Sequence, residues 1–368
     1  MRVLWFSWRD INHPEAGGAE VFTYEVMQKL IKRGYSFTLF TSEYQDAPLN
    51  DNINGINVIR RGGKYTVYSK AKKYYAKNKS NFDLVVDEIN VKPFLTPKFV
   101  KELPVLGLVH QVSRGGLFYE LPFPVNYIIY YYLIKRWLSN YRNTPTITVS
   151  ESQKKILQEF GFQEIYLVPE GLSVTPLVKM PKKETKPTVA FIGRLRGYKL
   201  PDHALRAFAL IKKELRDARM FVIGDGYMRP KLERMKVKDV TFCGKVDNQT
   251  KCALLSKAHL VLVPSVEEGW GLVVTESNAM GTPTVAYDVP GLRDSVKDGQ
   301  TGILLVNNNS PEGLAAAALK LLKDEESLAK ISQNALNYSK QFSWNRTADA
   351  FDTIVKTVIH QSLKKTSN

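Results

Sequence analysis

The chain has 368 residues, 44% of them hydrophobic, with 52 basic and 36 acidic side chains that leave a formal net charge of +16. That length exceeds one ordinary hydrophobic core and calls for two domains, and the apolar content is ample to fill both. Cys243 and Cys252 are the only cysteines and have no histidine pair nearby, which excludes a disulfide framework and argues against zinc; no 18-residue uncharged apolar run is present to form a spanning helix.

The N-terminus runs straight into RVLWFSW, a strand and not a charged leader, so the expectation is a cytoplasmic protein without a signal peptide. SFTLFTS, INVIRR, FDLVVDEI, PVLGLVH, TITVS and IYLVP follow as further strands, with helical patterns such as 19–32 between them. Such alternation predicts a doubly wound parallel sheet. Gly17 and Gly18 stand where the first strand's loop enters the first helix, a place where bare backbone can approach an anion. Residues 55–82 hold eight bases, no acid and several tyrosines, a composition that fits either a solvated helix face or an anionic membrane surface. His110 closes PVLGLVH at a carboxyl edge, where a near-neutral imidazole exchanges hydrogen bonds with hydroxyls. Residues 121–142, with Tyr127, Tyr130, Tyr131, Tyr132 and Trp137 among aliphatics and Lys135, Arg136 and Arg142, read as a buried helix of the first lobe, with an interfacial position as the alternative.

Residues 172–187 are rich in proline and lysine and lack periodicity, which makes them the linker between a first lobe at 1–171 and a second at 188–343. The second lobe repeats the pattern through TVAFIG, RMFVIG, VTFCG, HLVLVP, TVAYDV and GILLV. Arg194 leaves the first of these strands and Lys199 follows five positions later, both at a carboxyl end. An arginine fork with a lysine point charge suits a nucleoside diphosphate. Gly224-Asp225-Gly226 lacks the third glycine and the later acid of a dinucleotide fingerprint and is read as a turn. Gly244, Lys245 and Val246 leave VTFC at the same edge.

Residues 265–287 are the most informative: strand, acidic loop, helix, a stop at Gly281 and Pro283, then strand. Gly269 and Gly271 flank Trp270 where the chain turns into the helix, so backbone amides and the positive helix end can meet an anion. Glu268 at the loop and Glu276 eight positions on suit hydroxyls at separate parts of an extended ligand. They do not form a glycosidase pair, whose carboxyls converge on one bond at roughly 5 to 9 Å. Glu267 is read as a solvated loop acid.

GGAE at 17–20, the L-x-x-R-G-Y run ending at Tyr35, FIGRL at 191–195, Lys199, EGWGLVVTE at 268–276 and VPGLRDSVKDGQTGIL at 289–304 resemble, in order, the landmarks of the retaining family-four glycosyltransferases. The resemblance implies an α/β protein of the GT-B fold: two doubly wound, Rossmann-like lobes facing a central cleft, with a C-terminal helix at about 344–368 crossing back to the first lobe. It further implies catalytic roles for Arg194, Lys199, Glu268 and His110, and nucleotide-sugar contacts from Gly17, Gly18, Gly244, Lys245, Val246, Gly269, Trp270, Gly271, Leu272, Val273 and Glu276. The donor would be a UDP- or GDP-sugar, with no cofactor and no metal, since no D-x-D sequence occurs to hold one. The acceptor would be a lipid-linked or cell-envelope glycan, with peripheral contact on the inner face of an anionic membrane; no nucleic-acid motif is recognisable. Four positions depart from the family pattern: Leu200 replaces a glycine, Gln111 an acid, Glu170 the asparagine of Pro-Asn-Gly, and Ser173 an aspartate. A sugar-nucleotide epimerase, or an inactive relative that binds nucleic acid or another anion, is the alternative.

Overall fold

The computed structural model describes residues 1–366, which divide into two compact units. The first comprises Met1–Val112, Tyr127–Gly171 and the C-terminal segment from Ser343; the second comprises Ser113–Asn126 and Leu172–Phe342.

In the first unit, β1 (Arg2–Phe6), β2 (Ser36–Thr41), β3 (Asn50–Ile53), β4 (Ile56–Arg60), β5 (Leu84–Glu88), β6 (Val105–Val109), β7 (Thr146–Thr148) and β8 (Ile165–Leu167) form one eight-stranded sheet. Its order is β3-β4-β2-β1-β5-β6-β7-β8, parallel except for β3, which runs antiparallel to β4. The central strands are continuous apolar runs because both faces are covered. β3 was not legible in the sequence: NDNI is polar, lies at the sheet edge and shows no apolar alternation. The helix Trp344–Thr366 belongs to this unit and packs along helix Gly18–Ile31. Phe351 stacks on Trp5 of β1 with centroids 5.4 Å apart, and Thr347 Oγ1 donates to the Pro169 carbonyl at 2.9 Å.

The second unit holds β9 (Thr188–Ile192), β10 (Arg219–Ile223), β11 (Val240–Gly244), β12 (Leu260–Val263), β13 (Thr284–Tyr287) and β14 (Gly302–Leu305). They form an all-parallel sheet in the order β11-β10-β9-β12-β13-β14. Residues 172–187, expected as the linker between lobes, run along this unit: the Leu177 amide donates to the Ala279 carbonyl and the Glu184 amide to the Lys257 carbonyl, each at 3.0 Å. Residues 113–126, expected in the first lobe, make their contacts with the second unit as well.

In each sheet the strand order reverses once, between β1 and β5 in the first and between β9 and β12 in the second. Loops leaving the two strands at a reversal diverge to opposite faces and open a crevice at the carboxyl edge, where open α/β sheets receive ligands.

The tyrosine-rich stretch corrects the sequence reading of a buried helix. Its wide turns at Ile128–Leu133 continue into helix Ile134–Leu138, and only one side faces the core, through Ile134 and Leu138. Tyr127, Ile128, Tyr131 and Tyr132 are exposed, as are Lys135 and Arg136. These pairs recur every four residues, so they share one stripe of the helix.

Gly224-Asp225-Gly226 leaves β10 as a loop whose Gly224 bridges to Gly244, with the turn itself at Tyr227 and Met228, and packing demands its glycines. A Cβ on Gly224, which has φ of +132°, would lie 2.0 Å from the Gly193 carbonyl oxygen, at the point where β9 releases Arg194. Gly224→Ala should cost about 2 kcal/mol or more from strain and collision. The expected outcome is a Tm lowered by roughly 4 to 8 °C for a unit of this size; a thermal melt indistinguishable from the parent would refute the close approach.

Candidate functional site

At the second unit's reversal, β9 delivers Gly193 and Arg194, and a short turn at Gly197–Lys199 leads to helix Pro201–Glu214. Leu200 sits at φ +49°, ψ +49°, the left-handed conformation that a glycine would adopt without strain. The backbone path questioned by the loss of that glycine is therefore kept, and the leucine side chain is buried in the core. Arg194 Nη2 donates to the Tyr198 hydroxyl at 2.9 Å, and the Lys199 ammonium lies 5.2 Å from the Tyr198 ring centroid.

Across the reversal, β12 ends at Val263 and the loop carries Ser265 to Gly271 before helix Leu272–Ala279. Glu268 is buried, forms an ion pair with Lys199, and accepts the Ser265 hydroxyl at 2.8 Å. Burial works to lower the Lys199 pKa and the adjoining Glu268 carboxylate outweighs it, so the ammonium is held above its ordinary value. The 289–304 motif has a steric role here. Gly291, at φ +85°, lets that loop pass so closely that a Cβ would stand 2.4 Å from the Glu268 carbonyl oxygen.

Gly271 caps the helix at φ +93°, with Leu272 and Val273 half-buried in its first turn. The Trp270 indole is buried edge-on against Phe342 with centroids 5.6 Å apart, which leaves its backbone as the part that a ligand could meet. Glu276 is buried further along the helix and binds Lys251 Nζ through Oε1 at 2.6 Å. Lys251 lies on helix Asn248–Lys257, which begins just after Gly244, Lys245 and Val246 leave β11. No sequence signal identified Lys251; a lysine in a polar helix looks like any solvated one.

Glu267 also corrects the sequence reading. Far from being solvated, it is buried and accepts from Ser113 Oγ at 2.8 Å, the Arg114 amide at 2.8 Å and the Gly115 amide at 2.9 Å. It anchors residues 113–115 beside the acidic loop. A Cβ on Gly116 would lie 2.5 Å from Glu267 Oε1, so any larger residue there would displace this carboxylate.

The first unit's reversal gathers a different set. Gly17 precedes helix Gly18–Ile31, and its amide, expected to face an anion, donates instead to Glu20 Oε2 at 2.6 Å. Gly18 is exposed. Glu20 is buried against Arg9, whose Nε lies 2.8 Å from Oε1. His110 follows β6, is buried, and sits edge-on to Phe22 with ring centroids 4.9 Å apart. Glu88 at the end of β5 accepts from Trp5 Nε1 at 2.9 Å and Thr23 Oγ1 at 2.7 Å. The structure thus gathers Arg194, Lys199 and Glu268 around one reversal, gives Glu276 its own cationic partner, and sets His110 among carboxylates that the sequence reading did not attach to it. Fixed cations beside glycine-rich backbone suit an anionic leaving group, and buried carboxylates suit hydroxyls.

Residues 16–175 match the family described as Glycosyltransferase Family 4, and residues 177–338 match Glycosyl transferases group 1. A D-inositol 3-phosphate glycosyltransferase of Corynebacterium aurimucosum is 35% identical over 177 residues, which are 45% of this chain and 42% of that protein. The match therefore spans less than half the length of that relative. Among solved structures, sucrose-phosphate synthase from Thermosynechococcus elongatus superposes with a TM-score of 0.79 at 18% identity, over 98% of this chain and 99% of that one. The Anabaena protein HepE, solved with UDP and glucose, superposes with a TM-score of 0.71 at 17% identity, over 97% of this chain and 100% of that one. Two consecutive family matches that run from 16 to 338, on two parallel-sheet units shared with such structures, establish that the chain belongs to the group 1 glycosyltransferases of the GT-B fold.

Proposed function

We propose that the protein transfers a sugar from a nucleoside-diphosphate sugar, UDP- or GDP-linked, to an acceptor hydroxyl with retention of anomeric configuration. The observation that carries this reading is the clustering of Arg194, Lys199 and Glu268 at one strand reversal, with Glu276 and Lys251 placed further along the adjoining helix. Breaking the bond from the anomeric carbon to the diphosphate leaves the electron pair on the phosphate oxygen and positive charge on the sugar ring. Arg194, Lys199 and the amides around Gly269 and Gly271 would stabilise the departing diphosphate, each charge-assisted hydrogen bond contributing roughly 1.5 to 3 kcal/mol. Glu268 would hold sugar hydroxyls and Glu276 the ribose, with Lys251 orienting its carboxylate. The acceptor oxygen attacks the same face that the phosphate leaves, and its proton passes to the leaving phosphate oxygen. The complex of HepE with UDP and glucose supports a uridine nucleotide as the first donor to try.

A panel of UDP- and GDP-sugars, scored for binding and for hydrolysis, tests the donor; conversion of the donor with no acceptor present would mark an epimerase instead. Arg194→Ala should lower kcat by about 100-fold or more, the scale of losing one preorganised charge-stabilising donor, while unchanged turnover would remove the phosphate role. Glu276→Ala should chiefly raise the Kd for the donor, and an unaltered donor affinity would refute the ribose assignment.

For the acceptor we favour a lipid-linked or cell-envelope glycan reached from the inner face of an anionic membrane. No helix among the described residues is long and apolar enough to cross a membrane, so any association would be peripheral. The stripe of Tyr127, Ile128, Tyr131 and Tyr132 running into Lys135 and Arg136 joins amphipathic rings to cations, and residues 121–150 contain no acid at all. That chemistry fits the headgroup region of a bilayer. The protein should sediment with phosphatidylglycerol vesicles at low salt and stay in the supernatant with phosphatidylcholine alone. Replacing Ile128, Tyr131 and Tyr132 together by Ser should release it; retention of the triple variant, or failure of the parent to bind, would sink the membrane reading.

A further inference from the structure

Around His110 the first unit buries two carboxylates, Glu88 and Glu170, to which neither the sequence motifs nor the comparisons assign a role. Glu88 Oε1 stands 3.6 Å from His110 Nε2, and Glu170 Oε1 stands 3.8 Å from His110 Nδ1, with all three side chains buried. Both His110 nitrogens, Glu88 Oε1 and Glu170 Oε2 are buried without a hydrogen-bond partner among the described residues. A neutral imidazole carries one N–H and one lone pair, so it can satisfy one flanking carboxylate while presenting a lone pair to the other. Only the doubly protonated ring suits a carboxylate on each side. Glu170 is also the position where the resemblance led one to expect an uncharged asparagine.

We propose that Glu170, acting with Glu88, is a positioning residue that fixes His110 as a buried imidazolium at the carboxyl edge of the first sheet. The other groups facing the ring are Glu20 on helix Gly18–Ile31, whose charge is matched by Arg9, and the apolar edge of Phe22. Burial opposes the charged ring, but Glu170, Glu88 and Glu20 outweigh it and raise the His110 pKa above its ordinary value. The charged form is present below that raised pKa and is lost as pH rises through it.

The test has two arms, and only the second rests on the proposed glycosyl transfer. Nitrogen-15 NMR of the imidazole in the full chain should show both His110 nitrogens protonated at pH 7.5. A neutral ring there overturns the proposal, whether or not transfer is found and whether or not any variant folds. In the second arm, kcat against pH should fall on the alkaline side for the parent. Glu170→Gln should move that limb to lower pH by about one unit, the scale of removing one close opposite charge, while Glu170→Asp should restore it in part. A variant that loses rate equally at every pH, with the limb unmoved, would make Glu170 merely structural and defeat the assignment.

Discussion

Everything at the second unit's site depends on one topological constraint, the reversal of strand order between β9 and β12. Because parallel crossovers share one hand, the connections leaving these neighbouring strands travel to opposite faces of the sheet. Their loops meet only at the carboxyl edge, one bringing Arg194 and Lys199, the other bringing Glu268. The Lys199–Glu268 ion pair spans that gap. Neither group would be buried singly at a tolerable desolvation cost, and each makes the burial of the other possible. The pair therefore fixes two loops that no secondary structure joins.

Close backbone packing supports the pair and explains where glycine is indispensable. Gly291 and Gly224 are not generic turn residues, since a Cβ at either would collide with the carbonyl of Glu268 or of Gly193. Leu200 shows the converse: the left-handed backbone there is retained without glycine, at a strain cost of roughly 1 kcal/mol or more, against which the burial of its own side chain works.

The motifs were legible for the same reason that the topology works, because residues leaving the carboxyl ends of parallel strands are marked by apolar runs that stop abruptly. TVAFIG before Arg194 and HLVLVP before the acidic loop could be read without coordinates, and the strands they announced are β9 and β12. What stayed hidden was whatever depended on pairing across the chain. Glu267 and Glu268 are adjacent and chemically identical, yet one accepts from residues 113–115 and the other binds Lys199, a difference set by chain segments more than 60 positions away. Lys251 was invisible for the same cause. The polar strand β3 was missed because edge pairing, and not side-chain burial, defines it. The tyrosine stretch was misjudged because a four-residue repeat of large rings looks equally apolar whether it faces the core or the solvent.

The surplus of positive charge is not spent where the chemistry is proposed. At the second unit's reversal Lys199 is matched by Glu268, and Lys251 nearby by Glu276, while the first unit's edge is rich in buried carboxylates around His110. Several exposed cations lie outside these sites. On helix Val67–Asn78, Lys70, Lys72, Lys73 and Lys77 are exposed and form no ion pair among the described residues, and Lys135 and Arg136 close the aromatic stripe. Charges screened by solvent contribute little to folding but act over a Debye length of about 8 Å at physiological salt. They would attract an anionic partner without perturbing the protonation of groups buried in the interior. A net charge of +16 and a site built from matched pairs are thus compatible, because burial separates the electrostatics of attraction from the electrostatics of the reaction.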